Sequence, residues 1–141
     1  MKYSYFLLSL LFLASCNSNP DMADVSKLEG FWEIQKAETP YEDKSYAMNL
    51  TIDYIHIEDS IGFRKKMQPS LLGNYQTSKD REYFSIENRK DKILLVYKTE
   101  YDTWTETLIR IEKDEFTIKN EQDFIYTYKR HIPQKLDLDE E

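Results

Sequence analysis

The feature that most constrains the fold is a period of two in hydrophobicity, repeated in short segments from residue 29 to residue 130. This alternation is typical of β-strands that bury one face. No segment of ten or more residues shows the 3.6-residue period of an amphipathic helix. The sequence therefore predicts an all-β domain. The clearest alternating pairs are Trp32/Ile34, Leu50/Ile52, Phe84/Ile86, Ile109/Ile111, Phe116/Ile118 and Tyr126/Tyr128.

Short polar turns separate many of the predicted strands, for example at 88–91 and 112–114. Because short turns join neighbouring antiparallel strands, the chain is expected to form a meander. Within segment 48–58 the apolar phase switches at Tyr54 and Ile55, which predicts a bulge or a sharp bend. The predicted strands are 30–37, 48–58, 61–68, 73–78, 82–88, 92–99, 103–111, 115–119 and 123–130.

Eight or nine strands in a meander leave two exposed sheet edges unless the sheet closes on itself. Closure into an antiparallel up-and-down barrel removes these edges. The interior of an eight-stranded barrel is wide enough to be filled by side chains or to hold one small ligand. We therefore expect a meander barrel of eight or nine strands, with a two-sheet sandwich as the alternative.

The N-terminus is organised like a bacterial secretion signal, with Lys2 followed by ten uncharged residues at 5–14. As a helix these would cover about 15 Å, half of the ~30 Å hydrocarbon core, so they are too short to span it. Residues 13–16, Leu-Ala-Ser-Cys, resemble the lipobox of bacterial lipoproteins. The resemblance implies a signal peptide at 1–15 and lipidation of Cys16 with diacylglycerol and a further acyl chain such as palmitate. An ordinary secretion signal with an incidental Cys is the alternative.

The remaining chain divides into a polar segment at 16–27, interpreted as a lipidated tether, a barrel at 28–131 and an acidic tail at 132–141. In the lipoprotein sorting scheme, Asp directly after the lipidated Cys retains a protein at the inner membrane. Here that position is Asn17. We therefore expect a lipid-anchored protein of the cell envelope, at the outer membrane. The sequence allows either side of that membrane, the periplasm or the cell surface.

Three segments make the domain resemble the lipocalin-like domains of small bacterial lipoproteins. They are Leu-Glu-Gly-Phe-Trp at 28–32, the hairpin sequence at 108–118 and Tyr-Thr-Tyr-Lys-Arg at 126–130. Together they extend over the span 28–131. The chain departs from the lipocalin pattern in two ways, because it has neither a pair of cysteines nor a clear helix after the last strand.

The resemblance implies a fixed arrangement at each end of the barrel. In lipocalins an Arg of the last strand covers the Trp of the Gly-x-Trp motif, so Trp32 and Arg130 are the expected barrel-closure pair. A buried contact of this kind needs the guanidinium within about 6 Å of the ring. The first loop of lipocalins lies across the mouth, so Tyr41 and Tyr46 in 38–47 are candidate caps, with an ordinary exposed loop as the alternative.

Strand parity also suggests which side chains face the barrel interior. Ile34, Ile52, Tyr126 and Tyr128 are the candidate ligand-binding residues. The chain contains 11 Tyr, and a Tyr ring packs while its hydroxyl seeks a polar partner, as suits a partly polar cavity. The alternative is that Tyr is simply a good strand residue, half exposed on a sheet.

Composition excludes several other kinds of function. The net charge of −7 disfavours binding to a nucleic-acid backbone, and one Cys makes neither an internal disulfide nor a Cys-based zinc site. Three scattered Gly make no phosphate loop. His56 and Glu58 share a strand face but supply only two metal ligands. We therefore expect no catalytic residue, metal or cofactor.

One further motif concerns modification. Residues 59–61, Asp-Ser-Ile, resemble the sequon for O-glycosylation in some Gram-negative envelopes, which makes Ser60 a candidate site.

Two functions from different classes remain. The first is a binding module that holds a small apolar or amphipathic ligand inside the barrel. The second is a non-catalytic interaction or inhibitor module, whose barrel is filled with side chains and whose surface contacts an envelope protein complex. A cavity along the barrel axis distinguishes the two, because it is required only by the first.

Overall fold

The computed structural model describes residues 19–45, 51–70 and 74–132. They form one 3₁₀ helix and ten strands. The helix is Met22–Leu28, and the strands are β1 (Gly30–Glu38), β2 (Asp43–Ser45), β3 (Ile52–Glu58), β4 (Ile61–Pro69), β5 (Tyr75–Thr77), β6 (Glu82–Arg89), β7 (Lys92–Lys98), β8 (Thr103–Ile111), β9 (Glu115–Asn120) and β10 (Ile125–Arg130).

Eight of these strands close into an antiparallel barrel. Their order is β10-β9-β8-β7-β6-β4-β3-β1, and β10 pairs with β1 to close the sheet. The short strands β2 and β5 extend the sheet beside β1 and β4. The expected all-β meander barrel is therefore confirmed, and the sandwich alternative is wrong.

The barrel has two different ends. Turns at 59–60, 90–91 and 112–114 lie at one end, here called the closed end. Turns at 39–42, 99–102 and 121–124 lie at the other, the open end. The interior towards the closed end is packed with apolar side chains, each of which stabilises the fold by roughly 1.5–3 kcal/mol when buried. This core contains Ile55, Phe84, Ile86, Ile93, Leu95, Leu108, Phe116 and Ile118.

The bulge predicted within 48–58 is wrong. The register between β3 and β4 runs without a break from Ile52 to Glu58. The apolar phase switches because Asp53, a polar residue only 2% exposed, occupies an inward position that an apolar residue would otherwise take. Register shifts occur instead in β1 and in β8.

The Met22–Leu28 helix corrects the prediction of a polar tether at 16–27. Asp21 caps the helix by accepting a hydrogen bond from the Ala23 N–H. Val25 and Leu28 are buried, at 3% and 0% exposure, against the closed end of the barrel. Residues 22–27 thus belong to the folded domain. Two buried apolar residues in a single short helix give too weak a period to be recognised in the sequence.

Several predictions lie outside the described residues. They are the signal peptide at 1–15, the lipidation of Cys16, the role of Tyr46 and the acidic tail beyond residue 132. In the part of the chain that the structure describes, no helix has the length and apolar character of a membrane span.

Candidate functional site

The open half of the barrel contains a cavity of about 410 Å³. This volume lies within the range of small-molecule pockets, roughly 300–1,000 Å³. Three of the four predicted ligand-binding residues, Ile34, Tyr126 and Tyr128, line it. The other lining residues are Arg64, Lys66, Asp102, Trp104, Thr105, Glu106, Asn120, Glu121 and Gln122.

The fourth candidate, Ile52, was wrongly assigned to the cavity. Its side chain is buried, at 1% exposure, but it is not part of the lining. Because side chains alternate along an unbroken strand, Ile52 faces the opposite side of β3 from Asp53.

Arg64 is the central charged residue of the cavity. Its Nε donates to Glu82 Oε2 at 2.9 Å, and its Nη1 donates to Glu106 Oε2 at 3.3 Å. The guanidinium also lies 4.8 Å from the centre of the Tyr97 ring. Burial opposes the charged form, yet the neighbouring Tyr97 and Glu106 hold the pKa of Arg64 well above its ordinary value. The cavity therefore has a permanently charged cation at its inner wall.

A second ion pair lies beside the first. Lys66 Nζ is 2.5 Å from Asp53 Oδ1, and the Asp53 side chain is only 3% exposed. Burial, with Asp53 and Glu106 nearby, raises the pKa of the Tyr128 hydroxyl. Burial likewise raises the pKa of Tyr97. Both hydroxyls are thus neutral groups that can donate hydrogen bonds.

An aromatic wall completes the cavity. The indole of Trp104 stacks on Tyr97 with ring centres 4.9 Å apart and planes 2° apart. Tyr97 in turn contacts Phe84 in the packed core, at 5.0 Å between ring centres. Trp104 therefore lines the cavity and is held in place by its contact with Tyr97. The sequence missed Arg64, Lys66 and Glu106 because charged inward positions do not follow the apolar alternation, and Trp104 was not singled out either.

The predicted closure pair meets at the closed end. The Arg130 guanidinium lies 4.0 Å from the centre of the Trp32 ring, and Trp32 is completely buried. The Trp32 Nε1–H donates to the Leu28 carbonyl at 2.8 Å. Arg130 donates to the carbonyls of Lys27 and Glu29, both at 2.9 Å. The two residues thus fix the 3₁₀ helix across the barrel end.

Gly30 has a physical reason to be glycine. Its φ is +122°, a region that side chains disfavour. A Cβ at this position would lie 2.7 Å from Nη1 of Arg130. The two fixed residues of the Gly-x-Trp motif therefore both serve the same contact. Arg130 covers the ring of Trp32, and Gly30 leaves room for the Arg130 guanidinium.

In the described part of the first open-end loop no residue lines the cavity, which corrects the prediction for Tyr41. Residues 39–42 form a tight turn, and β2 returns directly alongside β1. Tyr41 is 92% exposed and caps nothing. The turn at 99–102 has the same construction, and its Tyr101 is 90% exposed. In each turn the Thr hydroxyl accepts two N–H groups and donates to a carbonyl.

This repeated turn was missed in the sequence although its signal is present. The two segments read Thr-Pro-Tyr-Glu and Thr-Glu-Tyr-Asp. Thr side chains of this kind replace backbone hydrogen bonds in turns. The turns join β1 to β2 and β7 to β8, so the two tyrosines stand at well-separated strands of the open end.

Other tyrosines lie on the outer face of the sheet. Some tyrosines therefore line the cavity, as the first interpretation of the Tyr content expects, and others are strand residues on the surface, as the second expects. Phe31 packs between Tyr54 at 4.8 Å and Tyr75 at 5.3 Å, measured between ring centres. Phe63 contacts Tyr54 and Tyr83, each at 6.0 Å.

The remaining candidates are separate from the cavity. Ser60 lies exposed in the tight turn between β3 and β4. His56 Nδ1 is 3.2 Å from Glu29 Oε1. Within the described residues, no group of three His, Cys, Asp or Glu side chains is arranged to hold a metal.

Comparisons with known proteins give one structural likeness. No protein-family model matches the chain. No similar sequence was found among the curated proteins. A lipocalin-like protein from Bacteroides uniformis, known from its crystal structure, matches with a TM-score of 0.47 and 8% sequence identity. The match covers 74% of this chain and 99% of the other.

Proposed function

We propose that this chain is a lipid-anchored, non-catalytic envelope protein that holds a small amphipathic molecule in the open half of its barrel. The observation that supports it is the division of the barrel interior. Apolar side chains fill the closed half, whereas a cavity of about 410 Å³ occupies the open half. A barrel built only as a rigid interaction module does not need this space.

The lining favours an amphipathic ligand over a purely apolar one. Ile34, Trp104 and Tyr126 provide apolar contact area, while the Arg64–Glu106 pair and the Tyr128 hydroxyl provide hydrogen-bonding groups. Burying about 200 Å² of apolar ligand surface contributes roughly 5 kcal/mol before the costs of association. We therefore expect micromolar or weaker affinity for simple ligands, with polar contacts fixing their orientation.

Binding of the neutral fluorescent probe N-phenyl-1-naphthylamine tests the proposal. We expect saturable fluorescence enhancement with the native protein. Ile34→Phe, which adds a ring to the cavity lining, should weaken binding at least tenfold because it occupies ligand space. Ile109→Phe is the matched control, since Ile109 is 44% exposed on the outside of the barrel, and it should bind as the native protein does.

The interaction module remains the second candidate, favoured by Tyr41 and Tyr101. Both rings are exposed on hydrogen-bonded turns, and rigidly displayed Tyr is a common anchor in protein interfaces. In the same titration a Tyr41→Ser/Tyr101→Ser variant should bind the probe normally. If the native protein binds no probe, while this variant alone loses a co-purifying envelope protein, the second candidate replaces the first.

The place where the described chain joins the barrel supports a particular orientation on the membrane. The chain reaches the barrel at its closed end, where the 3₁₀ helix lies. Cys16 precedes Asn19, the first described residue, by three positions, a reach of at most about 10 Å. We propose that lipid on Cys16 holds the closed end nearest the outer membrane and that the cavity opens away from it.

Replacing Cys16 with Ser tests the anchor. We expect the variant to lose all incorporation of radioactive palmitate, because lipidation and the processing that depends on it are blocked. Two or three acyl chains give stable anchoring, and no other anchor is proposed. Ser15→Ala, which keeps a small residue beside the cysteine, is the control and should remain labelled. Palmitate incorporation into the Cys16→Ser protein would contradict the proposal.

A further inference from the structure

The two cations of the cavity lining are already neutralised. Arg64 is hydrogen-bonded to both Glu82 and Glu106. Lys66 is paired with Asp53. An anionic ligand would therefore have to compete with carboxylates of the protein itself.

That competition is unfavourable because the carboxylates are buried. The Glu106 side chain is 8% exposed and that of Asp53 is 3% exposed. Drawing Arg64 or Lys66 towards a ligand would leave a buried carboxylate without its cation, which is strongly unfavourable. The inner wall thus offers polar groups but little attraction for a negative charge.

In the outer part of the same cavity the negative charges are not neutralised. Asp102 and Glu121 line it and are exposed. Asp102 accepts a hydrogen bond from the Thr103 N–H at 2.7 Å, which holds its carboxylate at β8. In the part of the chain that the structure describes, neither carboxylate has an ion-pair partner.

Trp104 lies two residues from Asp102 and lines the cavity with it. Its stacking on Tyr97 fixes the plane of the indole. Among side chains, the indole face attracts organic cations most strongly, and the attraction increases when water is excluded. A fixed indole beside two unpaired carboxylates is a suitable environment for an ammonium group.

Resting on the proposed function, we infer that the ligand is an organic cation, an amphipathic amine or quaternary ammonium compound. Its charged group lies at the entrance, beside Asp102, Glu121 and Trp104. Its apolar part extends inward towards Ile34 and Tyr126. The cavity discriminates against a carboxylate or sulfonate on the same skeleton.

Three probes with one carbon skeleton test the charge preference: 4-phenylbutylamine, 4-phenyl-1-butanol and 4-phenylbutanoate. Their dissociation constants are measured at pH 7 by displacement of N-phenyl-1-naphthylamine and by calorimetry. We expect the amine to bind at least fivefold more tightly than the alcohol, and the carboxylate most weakly. The preference should shrink in 0.5 M salt, because the entrance carboxylates are exposed.

An Asp102→Asn/Glu121→Gln variant should lose the preference for the amine while keeping the affinity for the alcohol. Asn keeps the oxygen that accepts from Thr103. The control variant Asp91→Asn/Glu112→Gln removes the same charge at the closed end and should keep the preference.

Equal or tighter binding of the carboxylate, equal binding of alcohol and amine, or a preference that survives the entrance variant would overturn the inference. In those cases the proposed function still stands, because the cavity binds ligands. If none of the three compounds nor the naphthylamine probe binds, the proposed function fails together with the inference.

Discussion

Replacing Trp32 with alanine should lower the free energy of unfolding by about 3–5 kcal/mol, the usual cost of deleting a large aromatic side chain from a core. Trp32 is completely buried, and its ring meets Phe116 edge-on at 4.6 Å between centres. Its loss also removes the hydrogen bond to Leu28 and the surface on which Arg130 lies. Urea denaturation followed by circular dichroism measures the change.

A double-mutant cycle separates the cation–π contact from simple burial. Arg130→Met removes the guanidinium, and the coupling to Trp32→Ala is expected at roughly 1–2 kcal/mol. Tyr101→Ala is the control and should leave stability almost unchanged, because the ring is 90% exposed. No measurable coupling would show that Trp32 is an ordinary core residue and that Arg130 acts independently of it.

The barrel was predictable because its strands obey one rule along most of the chain. Phe116 and Ile118, like Phe84 and Ile86, are separated by one polar residue. Turns of two or three residues make each of these strands pair with the strand that it is joined to by the turn. The prediction failed where a second requirement overrode alternation. Asp53 faces inward because Lys66 neutralises it, and in the sequence this appears as a change of phase.

The candidate site was less predictable because its charges act in pairs from distant parts of the chain. Arg64 and Glu106 are 42 residues apart, and neither is unusual in a sequence with 32% charged residues. The register of the strands brings them together, and register depends on the whole sheet. Trp32 and Arg130 were predictable at 98 residues apart only because the Gly-x-Trp resemblance supplied the register.

Replacing Arg64 with methionine should destabilise the protein by about 3–5 kcal/mol, as expected when one partner of a buried ion pair is removed. Glu106 would stay in the interior with its cation gone, and Tyr97 would lose the guanidinium above its ring. Arg89→Met is the matched control. Arg89 also pairs with a glutamate, Glu87, but its side chain is 61% exposed, so little change is expected there.

The origin of the destabilisation can be tested by removing the orphaned charge. In an Arg64→Met/Glu106→Gln variant the buried carboxylate is replaced by a neutral amide of similar shape, which costs far less to bury. The double variant should therefore be more stable than Arg64→Met alone, although each substitution by itself is destabilising. If the two losses simply add, the ion pair is not what holds this part of the barrel. Loss of the contact between the Arg64 guanidinium and the Tyr97 ring would then account for the effect.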